Sequence, residues 1–258
     1  MKVKSSLLIC MVVFTLVCLS QGVFALNMES TQFGGSTGLI STPTANVGWE
    51  DRNVGLDFGF HYINSSDYSV IPAFTVSLFK RLEVGFAADV QENGGNDYLL
   101  HSKFNFFPGE KTALAVGFNC QFIKFAEHAK TEYYGQLYVA VTYAGNFFSW
   151  PAKTTALLGK TFYKDTDSNI DFSMGFDLDL FPQYLKHYLH WINDFANYSY
   201  SVDPNGSNHH VRGCFNTGLR GILPLPDMVK LSIDVICTDV LDSGSRSFAF
   251  GLTAGYGF

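Results

Sequence analysis

The chain has 258 residues, of which 16% are aromatic and 16% charged, with 47% hydrophobic residues and 24 glycines. Ordinary soluble domains carry roughly 25% charged residues, so this is neither a disordered chain nor an average cytosolic enzyme. The net charge of −6 and the lack of a basic stripe exclude nucleic acid as a partner, because phosphate neutralisation needs clustered Lys and Arg.

At the N-terminus, Lys2 and Lys4 precede an apolar run from Leu7 to Leu19, followed by Val23-Phe24-Ala25. That order reads as a secretory signal peptide over residues 1–25, cleaved near Ala25. The run is shorter than the ~20 residues a spanning helix needs. Lipidation at Cys18 is the rival reading, and bulky Val17 just before it argues against that. Cys10 and Cys18 leave with the signal, and Cys120, Cys214 and Cys237 remain. An odd, sparse set makes neither a disulfide framework nor a metal site of CxxC type.

Residues 26–49 form a leader ahead of the regular pattern. From residue 50 to 258, segments alternate apolar and polar with a period of two and are bounded by turn residues. In the third segment, Leu82, Val84, Phe86, Ala88 and Val90 oppose Arg81, Glu83, Gly85, Ala87, Asp89 and Gln91. The pattern predicts strands over 54–63, 69–79, 81–91, 97–107, 112–123, 131–144, 154–163, 168–181, 187–201, 210–222, 228–240 and 246–258. Links after odd strands are polar, as in Glu92-Asn93-Gly94-Gly95-Asn96. Links after even strands are tight or carry proline, as in Phe107-Pro108-Gly109-Glu110. Two stretches fit less well. Faces are poorly separated in Thr154–Tyr163, where Leu158, Lys160 and Phe162 share one side. Pro182–Asn197 also fits a helix; a strand with a bulge between Phe195 and Tyr198 is preferred.

Alternation alone also suits a secreted soluble β-protein. The polar faces decide against it, because they hold Gly, Ser, Thr, Asp and Asn with few lysines, which suits a confined wet lumen. In lipid, only a closed barrel satisfies a sheet's backbone groups. Tyr62, Phe79, Tyr98, Phe107, Tyr143, Tyr163, Phe181 and Tyr256 fall at strand ends, where interfacial girdles lie. The expected fold is therefore all-β: an antiparallel up-and-down transmembrane β-barrel of about twelve strands, within ten to fourteen. The last strand, ending Tyr256-Gly257-Phe258, resembles those that close bacterial outer-membrane barrels and are read by the barrel assembly machinery. That resemblance implies an outer-membrane protein with periplasmic N- and C-termini.

Gly34, Gly35, Ser36, Thr37, Gly38, Leu39, Ile40, Ser41, Thr42, Pro43, Thr44 and Ala45 resemble the "TGLI…PTA" opening of the YjbH-like outer-membrane proteins, a family associated with exopolysaccharide biosynthesis. The run Trp191 to Ser201 and the strand meander are similar to that family too. Known members are longer, so this chain would be a single-barrel version. The resemblance implies a barrel of polysaccharide export or envelope biogenesis, with polysaccharide or a periplasmic envelope protein as partner besides lipid. The Gly and Pro of the motif break an extended segment near one rim. It could tuck into the lumen or simply lead into the first strand and seal the barrel.

Inward positions on the expected strands are Asp57, His61, Arg81, Glu83, Asp89, His101, Lys103, Gln121, Asp171, Asp177, Asp179, Arg212, Arg220, Lys230 and Asp234. Both signs occur, so they form either a structural salt-bridge network or a narrow polar pore or sugar-binding lumen. For catalysis, Asn208-His209-His210 is a polar loop. His187, His190 and Asp194 share a face only on a helix. No nucleophile elbow or phosphate loop is present, so no catalytic, cofactor or metal residue is expected, and the chain is not read as an enzyme. The functional expectation is an envelope barrel that exports polysaccharide or acts as a narrow polar channel, with a structural or assembly barrel as the alternative.

Overall fold

The computed structural model describes residues 30–64, 68–92, 96–124, 131–162, 170–198, 213–223, 225 and 228–258. Residues 1–29, which include the expected signal peptide, Arg212, and the Asn208-His209-His210 loop lie outside the described residues.

Strict period-two alternation sends successive side chains to opposite faces of a strand, and here it produces a closed sheet. The strands are β1 (Val54–Asn64), β2 (Ser69–Leu78), β3 (Leu82–Gln91), β4 (Asn96–Pro108), β5 (Thr112–Lys124) and β6 (Thr131–Phe147) in the first half. The second half holds β7 (Trp150–Phe162), β8 (Asp171–Asp179), β9 (Leu189–Ala196), β10 (Cys214–Ile222), β11 (Val229–Thr238) and β12 (Ser247–Gly257). Each pairs antiparallel with its sequence neighbours, and β1 pairs with β12, so the sheet closes into a barrel with no free edge. The seam keeps the same parity as the rest. Asp57 faces Gly255 and His61 faces Gly251 inside, while Phe58 faces Ala254 and Phe60 faces Leu252 outside.

Outward residues form an apolar belt that every part of the wall supplies, with Phe58, Phe86, Leu100, Phe118, Leu137, Leu158, Trp191, Leu219, Ile233 and Phe250 all exposed. Inward residues are almost all buried. They make two apolar clusters, one of Phe33, Ile40, Ile63, Ile71, Leu99, Ile192 and Ile236 with small residues between. The other joins Ala45, Tyr138, Leu157 and Tyr198. Phe33, Ile40 and Ala45 belong to no strand. They come from the segment ahead of β1, which fills the barrel.

Four expectations are corrected. Arg81 is exposed and does not line the lumen. Phe79 and Lys80 take left-handed φ of 54° and 63° and reverse the chain, so that the Arg81 N–H closes on the Leu78 carbonyl at 3.1 Å and its side chain projects from the turn. The stretch 182–197 is neither one strand nor one helix: Pro182–Leu185 forms a single helical turn, α1, and β9 follows. Proline starts the turn because its missing N–H and fixed φ suit the first helical position. Nor is there a bulge between Phe195 and Tyr198. Phe195 faces out, while Ala196 and Tyr198 are both buried inward, so the parity never slips. The register shift lies in β4, between Asn105 and Phe107. Finally, β7 begins at Trp150, ahead of its expected start, while Lys160 does share the outward side with Leu158 and Phe162. Lys153, Thr155, Leu157 and Thr161 are buried inward, whereas Leu158 and Phe162 are exposed.

Candidate functional site

Residues 30 to 49 are buried, Asn46 alone being half-buried, and they lie inside the barrel as a plug. The plug holds itself together through backbone bonds: Gly38 N–H to the Ser30 carbonyl at 3.0 Å, Phe33 N–H to Ile40 at 3.0 Å, and Thr44 N–H to Thr37 at 3.1 Å. Bridges between Thr31 and Thr37 and between Gly38 and Pro43 fold it into tight reversals. Reversals this tight leave backbone N–H and C=O groups without mates, and buried groups of that kind need partners. The wall supplies them.

Glu83 on β3 accepts from Ser36 Oγ at 2.7 Å and the Thr37 N–H at 2.9 Å through one oxygen. Its other oxygen accepts from Thr37 Oγ1 at 2.6 Å and the Gly48 N–H at 3.1 Å. Lys103 on β4 pairs with Glu83 at 3.3 Å and donates to the Thr37 carbonyl at 3.0 Å. On β9, one oxygen of Asp194 accepts three successive N–H groups, those of Ile40 at 3.1 Å, Ser41 at 2.6 Å and Thr42 at 2.8 Å. Its other oxygen takes Asn216 Nδ2 at 2.8 Å. Beside it, Arg220 grips Asp234 with two bonds of 2.9 Å and reaches the carbonyls of Gly38 at 3.1 Å and Leu39 at 2.9 Å. At the exit of the plug, Trp49 Nε1 donates to Asp57 at 3.1 Å, and Lys230 donates to the Gly48 carbonyl at 3.0 Å. Charge-assisted bonds are the strong ones, and here they fall on the plug's turns.

Local sequence explains the fit. Gly55 faces Gly257 across the β1–β12 seam, and a Cβ on Gly55 would stand 2.0 Å from Trp49 Cδ1. The two glycines therefore make the slot for the indole. Phe33 lies edge-on to His61 at 5.1 Å, and the Ala45 N–H is taken by Thr142 Oγ1 at 2.8 Å.

Of the residues expected inside, Asp57, Glu83, Lys103, Arg220, Lys230 and Asp234 converge on the plug, and His61 and His101 are buried against it. The others serve the wall. Asp89 accepts from Ser69, Gln121 donates to Asp97 at 3.1 Å, and Asp171 accepts from Gln136 at 2.8 Å and Thr161 at 2.6 Å. Asp177 pairs with His190 at 3.1 Å and Asp179 with His187. His190 and Asp194 share the inward face of β9 but have separate partners. Among motif residues, Gly34, Gly35, Thr37, Gly38, Leu39, Ile40, Pro43, Thr44 and Ala45 are all buried in the plug. Tyr256 and Phe258 face outward at the end of β12. Asp194, Asn216, Thr142 and Lys153 were absent from the expected set. The first three hold the plug, and strand parity alone places all four inward.

The class that the fold defines is the closed, antiparallel barrel of outer-membrane-porin type. No family model and no curated protein matches the chain. Among solved structures it is similar to the KdgM porin in complex with disordered oligogalacturonate, at 7% identity and a TM-score of 0.51 over 78% of this chain and 99% of that one. The KdgM porin alone gives 7% identity and a TM-score of 0.50, again over 78% and 99%. The Acinetobacter baumannii outer membrane protein Omp33 gives 11% identity and a TM-score of 0.45 over 80% and 98%. At these identities the likeness to the KdgM porin is one of fold.

Proposed function

We propose that this chain is an outer-membrane barrel of the cell envelope whose narrow polar passage is held shut at rest by its own N-terminal segment. The observation that carries this reading is the burial of residues 30–49 in the lumen, with Glu83 and Asp194 bonded to the plug's backbone from two sides of the wall. The apolar belt supports a location in lipid, since soluble monomers rarely expose contiguous apolar patches beyond a few hundred Å². Lys2, Lys4 and the Leu7–Leu19 run support export with cleavage near Ala25. Tyr256 and Phe258 would be offered to the barrel assembly machinery, with both termini and the short links in the periplasm. The likeness of residues 34–45 to the opening of the YjbH-like proteins supports a part in polysaccharide export or envelope biogenesis, with polysaccharide or a periplasmic envelope protein as partner.

The test is conductance in planar bilayers. The wild-type barrel should be silent or open rarely, and the double variant Glu83→Gln/Asp194→Asn should open in discrete steps, because it keeps the side-chain volumes and removes the two charges that hold the plug. A wild type that conducts as freely as the variant would rule out closure by the plug. A second reading, a structural or assembly barrel without transport, is favoured by the density of plug-to-wall bonds. It predicts silence from both proteins.

A further inference from the structure

Plug and wall differ in charge. Residues 30–49 hold no Asp, Glu, Lys, Arg or His, so whatever field the interior carries comes from the strands. Among the described residues, three inward bases are matched one to one with acids: Lys103 with Glu83 at 3.3 Å, Arg220 with Asp234 at 2.9 Å and Lys230 with Asp57 at 2.9 Å. A further one, Lys153, stands opposite Asp177 in the register of β7 and β8. All of these bases lie nearer the end of the barrel that carries the even-to-odd links.

Toward the other end the balance fails. Asp89 sits just before the end of β3, while Asp97 and Asp171 open β4 and β8, and all three face inward at the level of the odd-to-even links. Asp89 and Asp97 are direct partners in the antiparallel register, a placement that like charges disfavour. The donors to these acids are uncharged: Ser69 Oγ for Asp89, Gln121 Nε2 at 3.1 Å for Asp97, and Gln136 Nε2 at 2.8 Å with Thr161 Oγ1 at 2.6 Å for Asp171. Oδ1 of Asp97 is buried with no donor at all. Among the described residues, no Lys or Arg faces the lumen at this level. In front of Gln121 and Gln136 a recess of about 50 Å³ remains beside Gln32 and Asn119, which is room for a few water molecules or one small ion.

With the plug out and water in its place, carboxylates at such a mouth are hydrated and ionised at neutral pH and above. Their field reaches past the side chains that cover them, because the Debye length is about 8 Å at physiological ionic strength. A narrow wall with surplus negative charge concentrates cations and repels anions, as acidic rings do in cation channels. The matched pairs at the opposite end add little, since each base cancels its acid. We propose that the passage, once the plug leaves it, selects small cations, inorganic or amine, over anions, and that Asp89, Asp97 and Asp171 set this preference. A carboxylated or phosphorylated solute meets like charge at that mouth. The proposal rests on the plugged-barrel reading, since it takes the plugged lumen to be a passage.

The test is the reversal potential of the full barrel carrying Glu83→Gln/Asp194→Asn, in a planar bilayer at pH 8 under a KCl gradient. K⁺ and Cl⁻ move equally fast in water, so a potential reports the wall. K⁺ should be favoured several-fold, although this variant has itself lost two acids, and the preference should shrink near 1 M salt, where the Debye length is about 3 Å. Adding Asp89→Asn, Asp97→Asn and Asp171→Asn together keeps the side-chain volumes and should bring the permeability ratio close to unity, with heat-modifiable gel mobility unchanged. If that variant does not fold, Asp171→Asn alone, remote from the Asp89–Asp97 pair, should lower the ratio. Channels that open in steps without preferring K⁺, or whose preference survives these substitutions, overturn this proposal and leave the gate standing. A barrel silent in every variant overturns the gate and this proposal with it. A wild type that conducts freely overturns the gate alone, and the same potential read on it decides the charge preference.

Discussion

Glu83 and Asp194 perform one task from opposite walls, since β3 and β9 stand half a turn apart in the ring of strands. Each is a carboxylate with essentially no exposure, and its lost hydration is replaced by N–H and O–H donors from the plug. Without those donors each would be a buried charge of high cost. The plug is therefore a solvent for the wall as much as the wall is a socket for the plug. Glu50, just after the plug, is different. It accepts from Asn46 Nδ2 at 3.2 Å, and burial pushes its carboxyl above the usual range although Lys153 and Lys103 pull it down. A carboxyl raised in the folded state contributes stability that is full below its ordinary pKa and is lost as pH rises through the raised value. Glu50→Gln keeps the acceptor for Asn46 and removes the titration. It should therefore raise the thermal midpoint in detergent more at pH 7 than at pH 4, and an equal gain at both would contradict the assignment. Because Glu50 is only partly covered, the gain should be small.

At the scale of elements, the plug depends on glycines of the first and last strands. Gly55→Ala would place a methyl on Trp49, whose ring also lies 2.5 Å from the Cβ position of Gly257. The indole should leave its slot, and tryptophan emission should shift to the red and become quenchable. Emission that stays at the wild-type position would mean that Trp49 is not held there. The strands themselves were legible because lumen and belt demand opposite chemistry at every step, so parity is written into almost each residue from Val54 to Phe258. It failed at Arg81, where left-handed Phe79 and Lys80 end the alternation early. It was ambiguous over 182–197, where Leu185, Tyr188, Leu189, Ile192 and Phe195 satisfy a helical spacing that only a single turn uses. The plug was legible only as one of two uses of its Gly and Pro. Its bonds are made by backbone N–H and C=O groups, which every sequence has, and no periodicity marks them. Asp194 was weighed only beside His187 and His190, not as a lumen residue, for the same reason: three of its partners are peptide N–H groups and none is a charged side chain.

For the whole molecule, the parity of links and strands makes two unlike ends. The short links carry exposed aromatics such as Phe79, Phe148, Phe181 and Tyr184. The recess beside Gln32, Asn119 and Gln136 lies toward the other end. One feature of the sheet constrains how such an object can come into being. The seam joins β1 to β12, Leu56 beside Tyr256, so the two strands most distant in sequence meet last, at the greatest cost in chain entropy. The ring that closes is lined by groups that bond to the plug, so the expected order is an interior occupied before closure. In that order the plug would serve as a mandrel around which the sheet is wound, tethered to the first strand and gripped by Glu83 before Asp194. Cysteine pairs report the order during refolding, one joining plug to β3 and one across the seam. The plug pair should form first, and a seam that closes before it would show that the sheet is wound empty and filled afterwards.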